Sequence, residues 1–160
     1  MRWTVLDSPI GEFSIATDGT HVCRAHFGRV DTADEEPGDD ETARQAVTEL
    51  RAYFAGELTE FAVPLAVPGG SDFERGVWRE MTRIPYGETL TYGEVARRLG
   101  DQGAARAVGV ACNRNPIPVL VPCHRIVGAG GKLVGFGGGL DRKVKLLELE
   151  AGVALQRAWS

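Results

Sequence analysis

A chain of 160 residues suits one domain or two small ones, and a hydrophobic share of 43% supports a buried core, which excludes disorder as a description of the whole. The net charge of −4 argues against non-specific coating of nucleic acid, and three unevenly placed cysteines exclude a disulfide scaffold. The longest apolar runs, such as Ile117 to Val121, are short and cut by Pro or Gly, so no membrane span is expected. Arg2 and Trp3 lead straight into a strand pattern instead of a secretory signal, which makes the cytoplasm the expected compartment.

In chain order, Trp3 to Leu6 and Gly11 to Thr17 read as strands joined by the turn Asp7-Ser8-Pro9, with Phe13 and Ile15 alternating with polar neighbours. Asp18-Gly19 turns the chain into a third strand near His21 to Phe27. Asp31 to Glu41 holds seven acids and no base, an exposed loop that DNA would repel. Thr42 to Phe54 is helical, with Ala46, Val47, Leu50, Tyr53 and Phe54 on one face and Gly56 as its stop. Phe61 to Leu65 contains Pro64 and fits an edge strand or an extended connector. Val67-Pro68-Gly69-Gly70 is the linker, dividing the chain into domains 1–68 and 69–160.

The second half opens with Ser71 and Glu74 at capping-box spacing, ahead of Phe73, Val77 and Met81. Thr91 and Glu94 repeat the signal and start a short helix that runs through Leu99 and ends at Gly100. An Ala-rich helix follows from about Ala104 to Asn113. The pair is a helix-turn-helix candidate, although plain helix packing explains the pattern equally well. Between Tyr92 and Arg125, five arginines (Arg97, Arg98, Arg106, Arg114, Arg125) stand against Glu94 and Asp101, a local +3 that leaves −7 for the rest of the −4 chain. Such a stretch suits a DNA-binding face or a solvated helix pair.

Asn115-Pro116-Ile117-Pro118-Val119-Leu120-Val121-Pro122-Cys123-His124-Arg125 carries the chemistry. The three prolines predict a stiff extended arm presenting Cys123 at a fixed point. A thiolate is a nucleophile, and an imidazole can take the thiol proton. Neighbours on an extended arm point to opposite sides, so a bridging water between Cys123 and His124 is expected, with a carboxylate to orient the ring. Glu150 is the candidate, on a C-terminal helix beginning near Leu140. Spacing alone also permits Cys123 to be a small core residue, the reading that Cys23 and Cys112 receive.

Pro122-Cys123-His124-Arg125, followed by a Val, a Gly-rich turn and a late Glu, resembles the active-site signature of the methylated-DNA–protein-cysteine methyltransferases. Thr91-Tyr92-Gly93-Glu94-Val95-Ala96, Ala104-Ala105-Arg106-Ala107-Val108-Gly109, Asn115-Pro116, Gly137-Gly138-Gly139-Leu140 and Leu146-Leu147-x-x-Glu150 fall in that family's order. The strong likeness covers roughly Phe73 to Gly152, and the Asp7-Ser8-Pro9-x-Gly11 turn matches more loosely. The resemblance implies an α+β fold: a small ribonuclease-H-like sheet domain with a helix, then a mostly helical domain with a helix-turn-helix and an active-site loop. It implies DNA repair by direct reversal, with an alkyl group passing irreversibly from O-6-alkylguanine, or O-4-alkylthymine, to the protein's own cysteine.

In that likeness Cys123 attacks, His124 accepts its proton, Glu150 holds His124, Asn115 braces the turn and Tyr92 donates to the base. Arg106 fills the stack vacated by a flipped nucleotide, beside Ala105, Ala107, Gly109, Arg114 and Arg125 on the DNA face. Cys112, Ile126, Phe136 and Gly137 line the pocket, with backbone near Cys123, Ile126 and Gly137 reading the base edge. Flipping costs about a few kcal/mol. Double-stranded DNA is the implied partner of a monomer that can cluster along it, and neither cofactor nor metal is needed. Phe136 departs from the Tyr of many relatives. Animal members hold zinc at positions matching Asp18 and Cys23; here His21, Cys23 and His26 lie close in sequence but no clear fourth ligand accompanies them, so no metal is expected. A DNA-binding relative without chemistry is excluded by Cys123 itself. A cysteine hydrolase would leave the helix pair unexplained, and a transcription regulator would need base-reading side chains that this helix lacks.

Overall fold

The computed structural model describes residues Met1–Trp159. Contacts divide the chain into two compact units, Met1–Pro68 and the part from Gly69 onward.

In the first unit, strands β1 (Arg2–Leu6), β2 (Phe13–Thr17) and β3 (Val22–Phe27) form an antiparallel sheet in the order β1-β2-β3. Every residue of β2 is buried, so the central strand is covered on both faces. Helix α1 (Glu41–Phe54) lays Ala43, Ala46, Val47, Leu50, Tyr53 and Phe54 against the sheet, at the spacing of one helix face. Asp40 caps it, its carboxylate accepting from Ala43 N at 3.0 Å. The segment read as strand or connector is a connector that touches the sheet at one bridge, Leu65 beside Val22. The acidic segment is partly neutralised: Arg2 pairs with Asp34 at 3.2 Å and Arg29 with Glu35 at 3.2 Å.

The second unit is built from α2 (Asp72–Thr82), β4 (Leu90–Thr91), α3 (Tyr92–Arg98), α4 (Ala105–Asn113), β5 (Ile126–Val127) and α5 (Leu140–Ala158). Both capping boxes form: Ser71 and Thr91 accept from the backbone of Glu74 and Glu94, whose side chains return the bond. Each cap is worth about 1 kcal/mol. Trp78 Nε1 donates to Ala111 O at 2.9 Å and ties α2 to α4. Among the described residues, no helix is long and apolar enough to cross a membrane.

The proline segment is not the stiff extended arm that its composition predicts. Asn115 Oδ1 accepts from Ile117 N at 3.0 Å, and its amide donates to Val121 O at 2.8 Å. Val121 N returns to Ile117 O at 2.9 Å, and Val119 sits at φ +74°, a conformation that β-branched residues rarely adopt. The chain therefore doubles back, held by the Asn115 side chain together with that backbone bond. Cys123–Arg125 then forms a single 3-10 turn, so these neighbours do not alternate across a strand either.

Candidate active site

Two short strands bring the chemistry together. β4 runs directly into α3, whose first residue is Tyr92; β5 follows directly from the Cys123–Arg125 turn. Their parallel pairing, Leu90 with Ile126 and Thr91 with Val127, fixes the tyrosine and the cysteine turn to one framework. The long helix α5 supplies the rest. Lys143, Leu146, Glu150 and Val153 are its buried residues, one stripe at helical spacing that carries two charges.

Both charges are partnered. Glu150 is 1% exposed and accepts from His124 Nε2 at 2.7 Å. Arg125 forks onto the same carboxylate, Nε to Oε1 at 2.8 Å and Nη2 to Oε2 at 3.0 Å. Gly87 N adds a bond to Oε1 at 3.3 Å. Gly87 is required there: its φ is +81°, and a Cβ would stand 2.9 Å from that of Ala154. Burial pushes the Glu150 carboxyl up, but the bonds from His124 and Arg125 outweigh it and bring it down to about 2.

The carboxylate fixes the imidazole tautomer. Nε2 carries the hydrogen that Glu150 accepts, which leaves Nδ1 as the acceptor. Nδ1 is fully buried with no hydrogen-bond partner among the described residues. Burial lowers the His124 pKa, with Arg125 and Lys143 acting in the same direction and Glu150 opposing, so the ring is neutral and can take a proton. Cys123 is 6% exposed. Burial pushes its thiol up to about 11, while the Asn115 amide and Lys143 pull the other way. The resting pair is thus a neutral thiol and a neutral base.

Of the residues expected to line a pocket, Tyr92 and Cys112 lie within electrostatic reach of Cys123. Tyr92 is held as a phenol, its pKa raised by burial to about 12, and its hydroxyl donates to Val134 O at 3.3 Å. Cys112 is buried, its thiol also raised by burial and by its neighbour Cys123. Ile126 is buried; its N donates to Cys123 O and its carbonyl accepts from Lys143 Nζ at 2.6 Å. Phe136 is half-buried and Gly137 exposed, with Lys143 Nζ 5.9 Å from the Phe136 ring.

On α4, Arg106 and Ala107 are exposed and Ala105 is half-buried. Gly109 faces Tyr92, whose ring lies 3.8 Å from where a Cβ would be, an ordinary van der Waals separation. Arg114 is exposed and reaches Glu74 at 3.5 Å. Arg125 departs from the expectation of a DNA contact. It is 7% exposed, and besides Glu150 it bonds Ile84 O at 2.8 Å and lies over the Tyr86 ring at 5.6 Å. Counting charge along the chain could not distinguish a surface arginine from one folded inward.

Lys143 was not singled out by sequence reading, though its place in the 143, 146, 150, 153 stripe was a legible signal. Asp18 and Cys23, at the zinc positions of animal relatives, are engaged in a turn: Asp18 accepts from Thr20 N and His21 N, and the Cys23 thiol reaches His21 O at 3.7 Å. Among the described residues, no group of three or more His, Cys, Asp or Glu could hold a metal ion.

Comparison with known proteins matches both units. The family model of the 6-O-methylguanine DNA methyltransferase DNA binding domain covers residues 72–152, and that of the same proteins' ribonuclease-like domain covers residues 1–67. The chain belongs to the 6-O-methylguanine DNA methyltransferase family. A methylated-DNA–protein-cysteine methyltransferase of Mycolicibacterium paratuberculosis is 50% identical over 155 residues, covering 94% of this chain and 92% of the relative. One from Methanosarcina acetivorans is 46% identical over 154 residues, covering 94% and 98%. A Mycobacterium tuberculosis OGT solved in complex with DNA superposes with a TM-score of 0.86 at 46% identity, over 96% of this chain and 94% of that one. Membership accounts for the α+β architecture.

Proposed function

We propose that this chain repairs DNA by moving the alkyl group of O-6-alkylguanine onto Cys123 Sγ, once per molecule. The observation that carries the residue assignment is His124, locked by Glu150 through Nε2 and holding an unpartnered, deprotonated Nδ1 beside the cysteine turn. The thiol proton passes to Nδ1 through one water. The sulfur forms a bond to the alkyl carbon as the carbon–O-6 bond breaks, and that electron pair stays with the guanine. Tyr92, kept protonated by burial, turns its hydroxyl from Val134 O to the departing base. No step calls for a metal or an organic cofactor. The product is a thioether, which water does not cleave, so the protein is consumed.

The target atom lies inside the duplex, so the nucleotide leaves the stack. Arg106, exposed on α4, takes its place, and α4 enters the minor groove, where little sequence is read, as suits inspection of any site. Arg114 contacts phosphate by exchanging its long bond to Glu74. Burial keeps the Cys123 thiol un-ionised at rest, so the nucleophile forms only as His124 takes the proton.

A duplex with a single methyl-labelled O-6-methylguanine tests this. The label passes to the wild-type protein, and Cys123→Ala binds the duplex without acquiring label. Label on the Cys123→Ala protein would refute the assignment.

A further inference from the structure

The two units divide the charge unevenly. Met1–Pro68 holds thirteen acids against five arginines, a net of −8, while the part from Gly69 onward holds thirteen lysines and arginines against nine acids, a net of +4. None of the charge on the first unit is hidden: all eighteen of its charged side chains are exposed or half-buried. In the second unit Glu80, Arg125, Lys143 and Glu150 are buried, two of each sign, so its +4 also lies at the surface. Local pairing does not cancel the acidity of the first unit. Arg2, Arg29 and Arg44 are taken up by Asp34, Glu12, Glu35 and Glu41, and Asp31, Asp39, Glu57 and Glu60 make no ion pair among the described residues.

Separate compact units have separate centres, so opposite net charges on them form a dipole along the line between those centres, at any angle between the units. The Debye length is about 10 Å at 0.1 M salt, while a folded unit of this length is on the order of 25 Å across, so each unit answers to its own charge and not to the overall −4. Duplex DNA carries about one negative charge per 1.7 Å of its axis. Its field turns such a molecule until the positive unit, with Arg106 and the cysteine turn, leads. We infer that the acidic N-terminal unit is a steering element for duplex DNA: repelled by the phosphates, it sets which end of the molecule makes first contact and keeps undamaged duplex from holding the protein in unproductive orientations. The inference rests on the alkyl-transfer reading above and goes beyond it by giving a role to residues 1–68, which supply none of the reacting groups.

Two quadruple variants of equal net charge separate steering from charge alone. One neutralises the first unit (Asp31→Asn, Asp39→Asn, Glu57→Gln, Glu60→Gln), the other exposed acids of the second (Glu88→Gln, Asp101→Asn, Asp141→Asn, Glu148→Gln). Binding to undamaged duplex and the second-order rate of methyl transfer from duplex O-6-methylguanine are measured from low to high salt. Transfer from the free O-6-methylguanine base, which is uncharged, reports the integrity of the site. At low salt both variants should bind undamaged duplex more tightly, on the order of tenfold. Only the second-unit variant should also transfer faster from duplex; the first-unit variant should stay at or below the wild-type rate, because its added encounters are misoriented. Both differences should vanish at about 1 M salt. Should the first-unit variant lose free-base transfer, its Asp and Glu pairs carry the test as two separate double variants. Parallel rises of binding and duplex transfer in both variants would overturn the inference, as would wild-type binding by the first-unit variant. Failure of the wild-type protein to accept methyl from either substrate would instead sink the alkyl-transfer reading.

Discussion

Replacing Arg125 by Met removes a guanidinium that makes three bonds, two to Glu150 and one to Ile84 O, at 2.8 to 3.0 Å. Glu150, 1% exposed, keeps its charge in a dry site beside His124 and the Gly87 amide. Breaking one side of a buried pair costs about 3–5 kcal/mol. The net fall of Glu150 from an ordinary 4.5 to about 2, to which His124 contributes as well as Arg125, corresponds to roughly 3 kcal/mol at 1.36 kcal/mol per unit. Because the folded pKa is depressed, that contribution is present above pH 4.5 and vanishes as pH falls toward 2. Urea unfolding should therefore show the variant less stable than wild type at neutral pH, with the gap closing in acid. A second effect acts on rate. Arg125 helps to lower the His124 pKa, so its loss raises that pKa, protonates the base over a wider range and moves the acid limb of the transfer profile to higher pH. Equal stability at neutral pH, or an acid limb that stays put or moves down, would refute the reasoning.

Two further outcomes are expected. Asn115→Ala leaves Ile117 N and Val121 O without their side-chain partner and costs about 1–3 kcal/mol by urea unfolding, with slower transfer as the turn before Cys123 loosens. Arg106→Ala should slow transfer from duplex far more than from a free O-6-alkylguanine base, measured side by side; equal loss on both would remove it from nucleotide flipping.

Much of this architecture was legible because local chemistry dictates it. Ser71 with Glu74 and Thr91 with Glu94 satisfy backbone donors that any helix start must satisfy, and both boxes form where the spacing puts them. The α1 face follows from a period of 3.6, whereas the alternation of Phe13 and Ile15 with polar neighbours, which suggests a half-buried sheet, did not foretell that all five residues of β2 are buried. The turn before Cys123 was misread because prolines were taken as stiffness along a line, whereas Asn115 folds the segment through bonds to residues two and six positions on. Arg125 was misplaced because charge along the chain carries no direction; only the position of Glu150 on α5 draws it inward. Lys143 was passed over as one of three basic residues, Arg142, Lys143 and Lys145, whose faces differ only when the helix is counted out from Leu146 and Glu150.

Stoichiometry tests the central claim most directly. Protein is mixed with an excess of duplex carrying one O-6-methylguanine each, and both intact mass and remaining lesion are followed until nothing changes. The account requires the loss of one lesion per protein molecule, with one methyl mapping to the Cys123 peptide. Lesions disappearing beyond that ratio, or disappearing while the protein mass stays constant, would contradict it.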